Sequence, residues 1–344
     1  MPPAEIAAYD CLDALPADTE ALFADAPSIF STRAWWETVV SHAMPAGNRP
    51  FFLVGSHDGR AAGVFPMLRD PADGDIRALT TPYTCLYAPL LTGPARARML
   101  NAFVRYCRRF PTTRLDALDT EDAAAIAESA RAAGLFVAYF DHFGNWHEDV
   151  AGLGWEGYLA RRPGALRETI RRRTKRVERM TGARFALFDG GKDTETGIEA
   201  FETIYARSWK EPEPFPLFNA ALMRAAFAMG NGRLGVWWID GVPAATQFWI
   251  VEHGQATVLK LAHDEAFKTH SPGTVLTAWM IRHLLEQENV TALDFGRGDD
   301  PYKKDWVATR RQRVGLLLIN PWRPRGALAL ARHTAGRLRK GLKG

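Results

Sequence analysis

The sequence predicts an α/β fold built from two copies of one unit, and three observations carry that expectation. Hairpin signals centre on Asp-Gly twice, at Asp58-Gly59 and Asp240-Gly241; this dipeptide accepts the positive φ angles of a tight hairpin turn. Each hairpin is followed by a strand-like run, a stretch with helical period and a second short strand. Those last strands, RLDAL at Arg114–Leu118 and TALDF at Thr291–Phe295, hold the same place in each half.

Taken in order, Ser31-Thr32 precedes a short helix, RAWWETVVSHA, with Trp35, Trp36, Val39 and Val40 on one side. Phe51–Val54 and Ala61–Met67 form the first hairpin, and Thr84–Leu91 reads as a further strand. A helix over Ala95–Arg109, the strand RLDAL, a helix over Asp122–Ala132 and the run GLFVAYF complete the first copy. The second copy opens with the hairpin Arg233–Ile250. The β-prone strand Ala256–Leu261, a helix over Thr274–Gln287 and TALDF follow. Trp237, Trp238, Phe248 and Trp249 alternate poorly with polar residues and are expected mostly in the core. Between the copies, residues 155–182 read as a basic helical connector: nine Lys or Arg fall between Arg161 and Arg179, over the apolar stripe Leu166, Ile170 and Val177.

A length of 344 residues suits about two domains, and 47% apolar with 24% charged residues is ordinary for globular proteins. No apolar run approaches the roughly 18 residues of a membrane span. The acidic start lacks the pattern of a signal peptide. Cys11, Cys85 and Cys107 have no metal-ligand spacing and read as free thiols, which places the protein in the cytoplasm. The net charge of +4 owes much to the tail after Trp322, which carries seven Lys or Arg and no acid. There Leu328, Ala331, Ala335, Leu338 and Leu342 recur at helical spacing. Such an amphipathic basic helix suits weak contact with an anionic membrane surface or a synthase complex. Cations gathered in two runs do not describe a nucleic-acid-binding face.

Chemistry is expected in the second copy. Only there does Ser271-Pro272-Gly273-Thr274 open the helix, with Ser as N-cap, Pro in the first turn and Gly admitting a ligand to the backbone. Only there does a polar cluster, Gly296-Arg297-Gly298-Asp299-Asp300-Pro301-Tyr302-Lys303-Lys304, follow the last strand. Strand, helix N-terminus, strand and polar cluster together lay out an anion-binding crevice. The segment EPEPFPLFN after Trp209 reads as an exposed loop over an acceptor site, and His263 as a residue able to orient substrate. No glycosidase-like carboxylate pair, Gly-x-Ser-x-Gly elbow or Cys/His cluster is present, which argues against a hydrolase or metalloenzyme.

The run Arg297–Trp306, with the upstream Ser271-Pro272-Gly273, resembles the GNAT-type acetyltransferases of the CelD/BcsL group, associated with cellulose and exopolysaccharide synthesis. Two such copies joined by a basic helical region also resemble the FemA/FemB peptidyltransferases. The resemblance implies two tandem GNAT-like domains with mixed central sheets flanked by helices. Residues 1–154 would be a degenerate copy, 183–322 the catalytic domain and 323–344 a tail. It implies acetyl-CoA as acyl donor, without metal. The thioester carbonyl would meet Leu259, Lys260 and Leu261, and the pyrophosphate would meet Lys268, His270, Ser271, Gly273 and Thr274. Asp299 would act as base, Tyr302 as acid to the thiolate, and Lys303 as partner to a phosphate or carboxylate. The loop departs from the usual GNAT pattern in having only one glycine, Gly273. The expected reaction is acyl transfer to an amine or hydroxyl of a small molecule, saccharide or peptide. A FemA/FemB-like transferase using charged tRNA and a non-catalytic scaffold of a polysaccharide-synthesis complex are the alternatives.

Overall fold

The computed structural model describes residues 4–72 and 74–341, with side chains of the last helix described as far as Gly336. The chain divides into two compact units, one of residues 1–143 with 312–344, the other of residues 144–311.

The elements up to the first crossing are β1 (Glu5–Tyr9), α1 (Glu20–Ala24), α2 (Arg33–His42), β2 (Arg49–His57), β3 (Arg60–Arg69), β4 (Ile76–Ala78), β5 (Leu90–Leu91), α3 (Arg96–Cys107), β6 (Thr112–Leu118), α4 (Thr120–Ala132) and β7 (Phe136–Asp149). There follow α5 (Trp155–Ala160), α6 (Gly164–Val177), β8 (Ala183–Phe188), α7 (Thr194–Ala206), α8 (Phe218–Ala228), β9 (Gly232–Ile239), β10 (Val242–Glu252), β11 (Gln255–His263), α9 (Pro272–Glu286), β12 (Ala292–Arg297), α10 (Lys303–Trp306), β13 (Thr309–Ile319) and α11 (Pro324–Gly341).

In the first unit the strand order is β1-β2-β3-β4-β6-β13, with β5 on β3. The β4–β6 pair is parallel and the β2–β3 and β6–β13 pairs antiparallel, so the sheet is mixed. Asp58 and Gly59 both take positive φ, 51° and 74°, as the two-residue hairpin requires. Thr32 caps α2, its side chain accepting from the Trp35 amide at 3.1 Å. Its apolar face then buries Trp35, Trp36 and Val39. Phe65 stacks on Phe103 with ring centroids 4.2 Å apart, tying β3 to α3 in a core shared with Leu115, Leu118 and Leu316. The strand expected over Thr84–Leu91 shrinks to Leu90–Leu91. Pro82 and Pro89 lack amide donors, and Thr81 and Thr84 instead bond each other's neighbourhood in a local turn.

The second unit orders β7-β12-β11-β10-β9-β8, with β11–β12 parallel and the other pairs antiparallel. Asp240 and Gly241 repeat the positive-φ turn at 50° and 79°. Helix α9 packs on β9, β10 and β11. At Gly235 an added Cβ would run into the Met280 side chain of α9, so the glycine makes room for Met280 as it packs on β9. Trp237, Trp238, Phe248 and Trp249 are all buried, as the sequence predicts.

Residues 155–182, expected as a basic helical connector with an apolar stripe, fold into α5 and α6 within the second unit. Ile170 and Val177 are buried in one core with Val275, Leu276 and Ile281. The C-terminal segment belongs to the first unit. The Asn320 side chain donates to the Arg108 carbonyl at 2.6 Å and accepts from the Trp322 amide at 3.0 Å. In α11, Leu328, Ala331 and Ala335 are exposed. The side chains of Leu338 and Leu342, the rest of the expected stripe, lie outside the described residues. Among the described residues no helix is long and apolar enough to cross a membrane, and no cluster of His, Cys, Asp and Glu could hold a metal ion.

Candidate active site

The site begins where two strands part. β11 and β12 run parallel and pair only over Gln255–Thr257 with Ala292–Asp294. Beyond that, β11 continues against β10 as far as His263, while β12 stays with β7, Arg297 opposite Asn145. A gap therefore opens between the C-terminal ends of two parallel strands, the place where α/β sheets admit ligands. A β-bulge sits at its edge. Phe248 pairs with Lys260 and Trp249 with Val258, so Leu259 has no partner in register. A bulged residue is released from the ladder, and its peptide groups become available to a ligand.

A buried polar network fixes the β12 wall. Asp294 accepts from the Asn145 amide and the Gly296 backbone, each at 2.7 Å, and from Arg311 at 2.6 Å. Arg311 also donates to Asn145 at 2.5 Å. Gly296 and Gly298 take φ of 62° and 104°, which turns the chain sharply into Asp299.

The three residues expected to act on this turn are brought together but play different parts. Lys303 is 3% exposed and folds inward. Its ammonium donates to the carbonyls of Arg297 at 2.8 Å and Gly298 at 3.1 Å and pairs with Asp300 at 3.2 Å. All three donors are thereby engaged, so Lys303 braces the turn rather than facing a phosphate. Asp299 accepts from Arg310 at 2.6 Å and from the Trp146 indole at 2.6 Å. Arg310, then Trp146, holds this carboxyl below the usual range, which makes it an anchored carboxylate. Tyr302 remains 39% exposed, and desolvation, followed by the Asp300 charge, pushes its phenol up. It stays protonated at neutral pH.

Opposite stands a group that lay unrecognised in the sequence. Glu213, in the Pro-rich segment after α7, accepts from the Tyr205 hydroxyl and from the Lys260 ammonium of β11. The Lys210 ammonium lies 5.7 Å from the Tyr205 ring and 5.8 Å from the Trp209 ring. Burial, then Lys260, lowers its pKa, while the Asp300 charge opposes the shift. Trp209 packs on His263 with ring centroids 4.4 Å apart, and desolvation lowers the His263 pKa, leaving a neutral imidazole. The segment expected to lie over the acceptor site is thus bound to the open end of β11. Its signal in sequence was only the charge of Lys210 and Glu213 among prolines, since a contact from Glu213 to Lys260 has no local pattern.

Before α9 the chain forms a 3₁₀ turn over Glu265–His270, capped by Asp264, which accepts from the Ala266 amide at 2.9 Å. Ser271 takes a left-handed φ of 55° and makes no side-chain cap, contrary to the expected N-cap. Around Gly273 only His263 Nδ1 comes near a would-be Cβ, at 3.9 Å. The first turn of a fifteen-residue helix, with its unbonded amides, is therefore open there. Thr274 and His270 are partly buried, whereas Lys268 is exposed and pairs with Glu265 at 3.8 Å. Leu259, Lys260 and Leu261 are half-buried along the gap. The residues present fit an acyl thioester of CoA: an open helix N-terminus for phosphate and a bulged strand for the carbonyl.

Residues 164–304 match the model of an acetyltransferase (GNAT) domain. A search of curated proteins finds no match. Among solved structures the chain is similar to FemX, with TM-score 0.61 and 12% identity over 89% of this chain and 97% of that one. It is similar to L-PGS from Bacillus licheniformis, with TM-score 0.57 and 13% identity over 94% and 97%. The C-terminal domain of a putative lysylphosphatidylglycerol synthetase from Agrobacterium fabrum gives TM-score 0.54 and 14% identity over 84% and 88%. At such identities the likeness is one of fold. Residues 164–304 of the second unit are thus similar to an acetyltransferase (GNAT) domain, within a mixed α/β chain of GNAT-like fold.

Proposed function

We propose that the protein transfers an acyl group, acetyl or longer, from an acyl thioester of CoA to an amine or hydroxyl acceptor. The observation that carries this reading is the parting of β11 from β12 at the Leu259 bulge, beside the open first turn of α9. Backbone amides at Leu259 to Leu261 would donate to the thioester oxygen as charge develops on it. The α9 amides at Gly273 and Thr274 would take the pyrophosphate. Neutral His263 takes the proton of the attacking acceptor, in place of Asp299, which Arg310 and Trp146 hold. Tyr302 gives a proton to the leaving thiolate. A saccharide or cell-envelope acceptor is the finer expectation, supported by the pattern Arg297–Trp306 alone. The free thiols accord with action in a reducing cytoplasm.

Thermal shift with acetyl-CoA, longer acyl-CoAs, free CoA and charged tRNA tests the donor. A ligand of the folded state raises the melting temperature by mass action. A rise with acyl-CoA is expected, and a rise with charged tRNA alone would replace this reading by aminoacyl transfer. In that second reading the exposed Arg167, Arg172, Lys175, Arg176 and Arg179 would hold the tRNA, and its mark would be steep salt dependence.

Gly273→Val is expected to weaken CoA binding at least about tenfold, about 1.4 kcal/mol, in a folded protein. The site has room for a side chain, so the loss would come from covering the amides. Unchanged affinity would place the cofactor elsewhere.

Because burial lowers the His263 pKa, the neutral base persists below the ordinary value of about 6.5 and is lost as pH falls through the folded-state pKa. Turnover should therefore be flat above about 6.5 and decline only below it. His263→Gln should be slow and should lack that acidic limb. An unaltered limb in the variant would take the role of base away from His263.

A further inference from the structure

A second cavity in residues 144–311 lies apart from the parted strands, between α6, α9 and β8. It is a groove of about 1070 Å³. Leu159, Ile170, Met180, Phe185, Val275 and Trp279 give it an apolar floor. The Phe185–Trp279 stack, with centroids 5.3 Å apart, stiffens that floor. The rim carries both signs: Arg167, Arg171 and Lys175 stand on α6 and Arg282 on α9, with Glu156, Glu168 and Glu178 between them, and Arg282 is taken by Glu286 at 2.9 Å. A smaller hollow shares Arg171, Lys175 and Met180 with it and adds Arg172, Arg176 and Arg179 without any acid. Glu168 is taken by Arg171 at 2.7 Å. Arg167, Lys175, Arg176 and Arg179 have no ion pair among the described residues. An apolar floor beside the unpaired cations Lys175, Arg176 and Arg179 suits a ligand that is apolar at one end and anionic at the other.

We propose that the groove binds an anionic phospholipid, with one acyl chain along the floor and the phosphate among Lys175, Arg176 and Arg179. Guanidinium groups suit phosphate because they donate in a fixed fork. The alternative occupant of a basic helix is RNA. An RNA-binding face would present cations along a backbone track with accessible stacking rings. Here Trp279 is already stacked on Phe185 and His283, and the floor is otherwise aliphatic. The site would hold the protein at an anionic bilayer surface without any spanning helix. It does not depend on the donor reading above.

The test is flotation of the full chain with vesicles of phosphatidylcholine alone and with about one quarter phosphatidylglycerol. Binding is expected only to the second. Each Lys or Arg near an anionic surface contributes about fivefold, so Lys175→Glu with Arg179→Glu should cost at least about twentyfold. Both residues are exposed, so the variant should fold, and it leaves α11 intact as a control for binding through the tail. Trp279→Ala should also weaken binding; if it lowers the melting temperature, Leu159→Asn, also on the floor and only half-buried, serves instead. Glycerol 3-phosphate, which has the head without the chain, should not compete, whereas lysophosphatidylglycerol should. Undiminished vesicle binding in the charge and floor variants would overturn the proposal, as would equal binding to neutral vesicles. Binding of tRNA but not of vesicles, lost in the same charge variant, would assign the face to RNA and overturn it equally.

Discussion

Tyr302→Phe is expected to slow acyl transfer by about 10²–10⁴-fold while leaving CoA affinity nearly unchanged, the usual cost of losing one acid or base. The phenol is the group at the gap that is both partly exposed and held protonated: desolvation raises its pKa, and the Asp300 charge adds to this. The departing thiolate, with a thiol pKa near about 8.5, is a fair leaving group. An acid therefore matters most when the intermediate could expel the acceptor amine instead. The measurement is single-turnover transfer to an acceptor found by screening small amines and sugars, with CoA affinity determined in parallel. A variant as fast as the parent would remove Tyr302 from the chemistry. Asp299→Asn serves as the contrast. Its partners Arg310 and Trp146 stand at a largely exposed carboxylate, so a small change in stability and little change in rate are expected.

Lys303→Met should destabilise the second unit by about 2–4 kcal/mol, because the carbonyls of Arg297 and Gly298 would each lose a buried donor. Lys303→Arg should not restore it, since a side chain only 3% exposed leaves no space for a planar guanidinium fork. Equilibrium denaturation measures the loss. If Lys303→Met kept full stability and lost only turnover, the ammonium would be acting on substrate, as its place beside Tyr302 in the sequence first implies. The two substitutions are one residue apart, and their opposite expected signatures follow from which way each side chain turns after Pro301.

The sequence by itself determined those features that depend on neighbouring residues. Two Asp-Gly hairpins appear where the dipeptide puts them, because positive φ at consecutive positions is a local property. The helices α2, α3, α4 and α9 follow from apolar spacing, with side-chain caps at α2 and α4, and the four aromatics of β9 and β10 are buried because nothing polar alternates with them. The place of the candidate site was read in the same way, since Ser271–Thr274 and Arg297–Lys304 each end a recognisable strand-to-loop passage. Tertiary structure alone decided what depends on distant partners. It gave the apolar stripe of the basic connector helix its partner, because Ile170 and Val177 meet α9 about a hundred residues on. It made Lys303 a brace and Asp299 an anchored carboxylate, through Gly298, Arg310 and Trp146. It set Glu213 on Lys260, 47 residues apart in the chain. Hydrogen bonds and ion pairs act over a few ångströms, so a residue's charge can be read from sequence, but the partner that fixes its role is chosen only when the strands come together.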